Sequence, residues 1–225
     1  MGIDWYDMIA RRNGGYKGRA KFTIVGRSAE DIFEERLIQM LPEYQFVLDA
    51  GCGHGEFTLK MSPYANRIIG LDNSSELLHI AQQLLASSTA TNVKFVYAST
   101  KGEMPFQDGQ FDLIYDRRGP TSIIKHSNLL VSGGVIFGIH TNVDKVKVSL
   151  VDHGYQDIEI EEYNSSITYF PNIEEYAKFL SDVPGNPDYT LPQYRDEVER
   201  MADKNIINGR LGHREHKFIW KAVKP

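Results

Sequence analysis

The chain has 225 residues, of which 41% are hydrophobic and 24% charged, with a formal net charge of −5. That length suits one domain with room for an embedded smaller one, and suffices for a sizeable core. The acidic balance, pI ≈ 5.8, disfavours nucleic acid as a partner, because duplex-binding proteins are more often basic overall.

Cys52 is the only cysteine, which excludes an internal disulfide and a cysteine-based zinc site. The start, MGIDWYDMIARR, lacks a signal peptide's apolar core. No apolar run approaches the roughly 18–20 residues that a membrane span needs. These features predict a cytoplasmic protein without a membrane partner. Nothing in the sequence sets the oligomeric state.

Residues 1–27 read as an N-terminal arm, with five basic residues and Tyr16 in RRNGGYKGRAK (11–21). It is either solvated or folded over a ligand. Ser28 and Asp31 resemble a capping box, and Phe33, Leu37, Met40 and Leu41 follow at helical spacing until Pro42. QFVLDA (45–50) is short and apolar, a buried strand, and runs straight into GCGHGEF. RIIGLD (67–72) is a second strand. A helix follows, with Asn73 and Glu76 as reciprocal caps and Leu77, Leu78, Ala81, Leu84 and Leu85 on one face. VKFVYA (93–98), FDLIYD (111–116) and GGVIFGIHT (133–141) are further strands, with a short helix at 121–130 and another at about 143–153.

The alternation of strands and helices predicts an α/β fold, a doubly wound, mostly parallel sheet covered on both faces. The last third adds strands at IEIEEY (158–163) and HKFIWKAV (216–223), which bring the sheet to seven. Two helices between them read as a lid-like insertion at about 170–210. The domain expected is thus 28–225, with the arm at 1–27. In such sheets ligands bind beyond the carboxyl ends of the strands, near the topological switch point.

VLDAGCGHGEF (47–57) places Gly51, Gly53 and Gly55 at alternate positions after a buried strand. Glycines there allow a sharp turn and close approach of a ligand. A dinucleotide fingerprint would have glycine where Glu56 stands. Asp49 instead suits a cationic group, and Asp72, at the end of the next strand, suits the hydroxyls of a ribose. A carboxylate for an ammonium and a carboxylate for a ribose fit S-adenosylmethionine better than a pyrophosphate.

LDAGCGHGEF, GLDNS (70–74), MPFQDGQFDLIYD (104–116) and LLVSGGVIF (129–137), in this order, resemble the class I S-adenosylmethionine-dependent methyltransferases over about residues 45–141. The resemblance implies a Rossmann-like fold and an enzyme that uses this cofactor. It implies that Asp49, Gly51, Cys52, Gly53 and Gly55 hold the methionine part, Asp72 the ribose, and Asn73 packs near the adenine. Many relatives carry an acid near position 100. Here Ser99 and Thr100 stand there, and either side chain or the backbone is left to meet the adenine. Asp116 completes the expected cofactor set.

The acceptor should lie by the loops after the fourth and fifth strands. Arg117, Arg118 and His140 are substrate-binding candidates, and His140 and Asp116 are candidate bases. Both arginines either grip an anionic acceptor or pair with Glu174, Glu175 and Asp182 of the insertion. Tyr169, Phe170, Tyr176, Phe179, Tyr189 and Tyr194 are either core or the roof of a pocket. His213 and His216 are read as solvated, and no metal is expected. The function expected is methyl transfer to a small-molecule acceptor. An rRNA base methyltransferase and a non-catalytic cofactor-binding protein are the alternatives.

Overall fold

The computed structural model describes residues 3–225. The chain opens with helix α1 (Ile3–Asn13), which buries Ile9 and Ala10, and strand β1 (Thr23–Val25). The sequence reads as an irregular arm there, because Ile9 and Ala10 are adjacent and neighbouring residues set no helical period. Helix α2 (Ala29–Met40) buries Phe33 and Leu37 on one face, and a 3-10 turn containing Pro42 ends it. Strand β2 (Val47–Ala50) runs into the glycine loop, and α3 (Glu56–Met61) leaves it. Then come β3 (Ile68–Asp72), α4 (Ser75–Ala86), β4 (Val93–Tyr97) and β5 (Phe111–Arg117). The cap of α4 is Ser74, whose Oγ accepts from Leu77 N, rather than Asn73. The helix expected at 121–130 is replaced by two 3-10 turns, broken where His126 leaves helical angles (φ −99, ψ 46). The remaining elements are β6 (Leu130–His140), α5 (Val143–Asp152), β7 (Gln156–Tyr163), β8 (Ile167–Tyr169), α6 (Ile173–Ser181), α7 (Arg195–Lys204), β9 (Ile206–Ile207), β10 (Arg210–Arg214) and β11 (Lys217–Val223).

These elements form two compact units. The larger comprises Ala29–Glu162 and Lys217–Pro225. It holds a seven-stranded sheet in the order β4-β3-β2-β5-β6-β11-β7. Strands β4 to β6 run parallel through β3, β2 and β5, and β11 is antiparallel to β6. This is the doubly wound, mostly parallel, Rossmann-like α/β sheet predicted above. Its order reverses between β2 and β5, so the switch point lies at the ends of those strands.

Side chains alternate across a strand, and the sheet sorts them into two layers. Leu48, Ala50, Ile114, Ile136 and Trp220 pack with Val146 and Leu150 of α5. On the other face Cys52 joins Leu78, Ala81 and Phe95, and Phe33 of α2 stacks on Phe137 at 4.5 Å.

The smaller unit joins the segment up to Ser28 with Tyr163–His216. Its four-stranded antiparallel sheet has the order β1-β8-β10-β9. The expected insertion is therefore larger than two helices and includes the N-terminal segment. Phe170, Tyr176, Ala177, Val198 and Ala202 form its core, with Phe179, Tyr189 and Tyr194 packed against them. The aromatic residues weighed as the roof of a pocket are thus largely core. The basic stretch is tied down: Asp182 takes the Arg12 and Arg19 guanidiniums and the Arg19 N–H. Glu175 accepts from Lys21 N and pairs with Lys178.

Candidate active site

The glycine loop leaves β2 with Gly51, Gly53 and Gly55 all at positive φ (87°, 57° and 76°), where other residues are strained. Space adds to the requirement. A Cβ on Gly51 would lie 2.7 Å from Pro120 Cδ, and one on Gly55 2.5 Å from the Phe95 ring. The turn is fixed by Gly51 and Cys52 N–H groups, both donating to the Leu71 carbonyl. Cys52 points its side chain into the apolar cluster with Phe95, and burial pushes the thiol pKa well up. Its Sγ also donates to the Gly53 carbonyl of the loop at 3.7 Å.

Asp49 is almost wholly buried and accepts a 2.6 Å hydrogen bond from Thr58 Oγ1 of α3. Burial raises its pKa to about 7. The Thr58 hydrogen bond, the Tyr115 hydroxyl and Arg117 only partly offset this, and Asp116 adds to the rise. Asp72 ends β3. One oxygen accepts from Gly53 N and the other from Ser74 N, each at 2.9 Å. It thereby joins the glycine loop to the start of α4. A carboxylate has about four acceptor positions, so two amides are compatible with further hydroxyls. Beyond β4, Thr100 is buried with its hydroxyl 2.6 Å from Ser122 Oγ, while His126 Nε2 donates to its carbonyl. Ser99 is half-buried and caps the Lys101 N–H. Of the two, Ser99 is the one near solvent.

The end of β5 shows the pleat at work. Tyr115 and Arg117 point to the α2–α3 face, and Asp116 to the other. Tyr115 pairs in register with Asp49. The Arg117 guanidinium lies 4.2 Å above the Phe57 ring, with its Nε 2.9 Å from Glu30 Oε2. Arg118, at φ 61°, places its Nε 3.2 Å from Glu30 Oε1. The acids of the insertion weighed as partners are engaged elsewhere: Glu174 and Glu175 by Lys178, Asp182 by Arg12 and Arg19. Glu30, in the first turn of α2, takes their place. No local signal marks it, because 87 residues separate it from Arg117.

Asp116 is fully buried. Its Oδ1 accepts from Gly119 N at 2.6 Å, and its Oδ2 lies 3.3 Å from His140 Nε2. Burial raises its pKa to about 6 against the lowering effects of His140 and the Gly119 N–H. His140 Nδ1 accepts from the Trp220 indole N–H at 3.1 Å. The indole can only donate, so the proton is on Nε2, which donates to the Gly119 carbonyl at 3.2 Å. Both ring nitrogens thus hold protein partners. Asp116 and His140 grip Gly119 from its two ends. A Cβ on Gly119 would lie 2.2 Å from the Ala50 carbonyl, so the loop after β5 rests directly on the glycine loop. Asp116, fully buried, is an anchor of that loop.

His213 lies on β10 with its ring against Phe179. Among the described residues no three His, Cys, Asp or Glu side chains group as a metal site would require. None of the described helices is long and apolar enough to cross a membrane.

Residues 47–129 match the family model "Methyltransferase domain". The chain is similar to an uncharacterized methyltransferase, YcgJ, of Bacillus subtilis, 37% identical over 68 residues, covering 30% of this chain and 26% of that one. It is similar to the demethylmenaquinone methyltransferase of Lactococcus lactis, 32% identical over 71 residues, covering 30% and 28%. The matched stretch thus spans about a quarter of these curated relatives. A crystal structure of a functionally unknown protein from Deinococcus radiodurans superposes with a TM-score of 0.72 at 26% identity, covering 99% of this chain and 100% of that one. The matched blocks are those that build the switch-point loops, and residues 47–129 are similar to a methyltransferase domain.

Proposed function

We propose that this chain binds S-adenosylmethionine at the ends of β2 and β3 and transfers its methyl group to a small-molecule acceptor. One observation carries the reading. A buried carboxylate with a raised pKa, Asp49, and a loop-joining carboxylate, Asp72, flank a glycine turn where a side chain on Gly51 or Gly55 would clash. An ammonium beside Asp49 would restore its charge, and a ribose suits Asp72. A dinucleotide's pyrophosphate fits badly, since it would face both carboxylates and Glu56 at the start of α3.

When bound, the cofactor supplies an already activated methyl group, and the protein's task is position. Gly51 to Gly55 let the backbone come close. Asp72 holds the cofactor loop against α4. Asp116 and His140 hold Gly119, and with it the wall on the acceptor side. Neither is assigned a proton-transfer role. The acceptor's class draws support from the acidic chain, from the named activity of the Lactococcus relative, and from the pairing of Arg12 and Arg19 with Asp182. That pairing weakens the case for an RNA-binding arm.

Calorimetry with S-adenosylmethionine, S-adenosylhomocysteine and NAD tests the cofactor. The two sulfur compounds should bind and NAD should not. Asp72→Ala should weaken them at least about tenfold, since hydrogen bonds to a charged group contribute about 1.5–3 kcal/mol. NAD binding without either sulfur compound would falsify the reading.

A further inference from the structure

Three cations surround one carboxylate at the end of β5. Glu30 Oε2 lies 2.9 Å from Arg117 Nε, and its Oε1 lies 3.2 Å from Arg118 Nε and 3.0 Å from Lys217 Nζ. The two arginines alone outnumber the carboxylate they share. Asp49, on the same face, feels the charge of Arg117, but burial raises its pKa to about 7, so it is only partly ionised near neutral pH. Both arginines approach Glu30 most closely through Nε. Among the described residues the terminal nitrogens of both donate no hydrogen bond, and these form the edge that grips a planar anion with two parallel hydrogen bonds.

A second observation points to the same place. Six buried side-chain nitrogen or oxygen atoms lack a hydrogen bond among the described residues. Two of them, Arg117 Nε and Glu30 Oε2, belong to this cluster. The Arg117–Glu30 pair is close but poorly aligned. Native interiors satisfy nearly all such groups, and a cluster of exceptions marks a place completed by something else. Arg118 is also one of three non-glycine residues at positive φ among the described residues, a strain that collects where ligands are held.

We propose that Arg117, Arg118 and Lys217 form the receptor for a carboxylate or phosphate on the methyl acceptor, with Glu30 as an in-chain counter-ion that the incoming anion displaces. The proposal rests on the methyl-transfer reading for the role of the anion and on the cation cluster for its existence. Glu30 keeps the three cations gathered without the acceptor. A dianionic group outcompetes it because it meets both guanidinium edges at once. The loop that carries the arginines also abuts the cofactor turn at Gly51 and Gly119, which sets the anion beside the methyl donor's site.

The test is calorimetric titration with inorganic phosphate at fixed ionic strength, with and without S-adenosylhomocysteine. Saturable binding is expected. Arg118→Met should weaken it at least tenfold. That side chain is 48% exposed, so its loss spares the fold. Glu30→Gln should tighten it about fivefold by removing the competitor. Unchanged affinity in Arg118→Met, or weaker binding in Glu30→Gln, overturns the proposal. So does the absence of phosphate binding beside tight, salt-steep binding of an RNA oligonucleotide. Arg118-dependent phosphate binding without S-adenosylhomocysteine binding would leave the anion site standing and remove the methyl-transfer reading. The reverse result would do the opposite, and loss of both binding events removes both.

Discussion

In the smaller unit the acids are answered. Asp182 takes two guanidiniums and a backbone N–H, and Glu175 takes Lys178 and the Lys21 N–H. The Lys21 N–H and Lys178 hold the Glu175 pKa below the ordinary carboxylate value. Thr190 hydrogen bonds do the same for Asp188. In the larger unit burial lifts Asp49 to about 7 and Asp116 to about 6, against an ordinary value near 4. Both units bury acids, yet one finishes their pairing and the other leaves it short. Incomplete pairing at the ends of β2 and β5 costs stability and keeps charge available for a ligand, which is how binding sites differ from structural ion pairs. Glu30 shows the two habits in one residue: burial alone would raise its pKa, and Arg118, Lys217 and Arg117 bring it below normal.

The largest effect should come from Gly119→Ala. Its Cβ would meet the Ala50 carbonyl backbone, so both loops must move. The expected cost is about 3 kcal/mol of stability and near-complete loss of S-adenosylhomocysteine binding. A variant that melts and binds normally would separate the two loops and break the account of the site. Next comes pH. Asp49 and Asp116 hold protons more tightly folded than unfolded, so their contribution to stability falls as pH rises from about 4 to 7 and is level above. If an ammonium needs ionised Asp49, cofactor affinity should rise about tenfold between pH 6 and 8. Asp49→Asn should flatten both curves, measured by melting temperature and calorimetry. Glu175 and Asp188 of the smaller unit work in the opposite sense, with stability present above about pH 4 and lost below it.

Asp182→Ala should loosen residues 5–20, seen as faster hydrogen exchange, at a cost of about 1–2 kcal/mol, while S-adenosylhomocysteine affinity stays as it was. A fall in that affinity would show that the two units do not divide the work as drawn here. The smallest effect is expected from Thr58→Val. Loss of its hydrogen bond should move the Asp49 midpoint upward by about one unit, read as a shift in the pH profile of binding.

The larger unit was legible because its signals are local. Buried strands are short apolar runs, and glycines at positions 51, 53 and 55 can be read without knowing their neighbours. Asp49 and Asp72 follow from position on a strand. The smaller unit was less so. Its sheet joins β1, near residue 24, to β8 and β10, some 140 and 190 residues away, and strands of two or three residues carry no period. Within the site, Thr58, Trp220 and Glu30 went unread for the same reason, since each acts on a residue distant in sequence or on the far side of a turn.

By itself the sequence determined the alternating α/β order, the switch-point loops and the methyltransferase likeness, because periodicity and turn chemistry are properties of neighbouring residues. Only the tertiary structure decided what the charged side chains after β5 do. The pleat turns Arg117 toward Glu30 and Phe57 and Asp116 toward His140, and the Trp220 indole settles which imidazole nitrogen holds the proton. Those outcomes depend on which elements pack together, and a charge's role is set by what surrounds it in space.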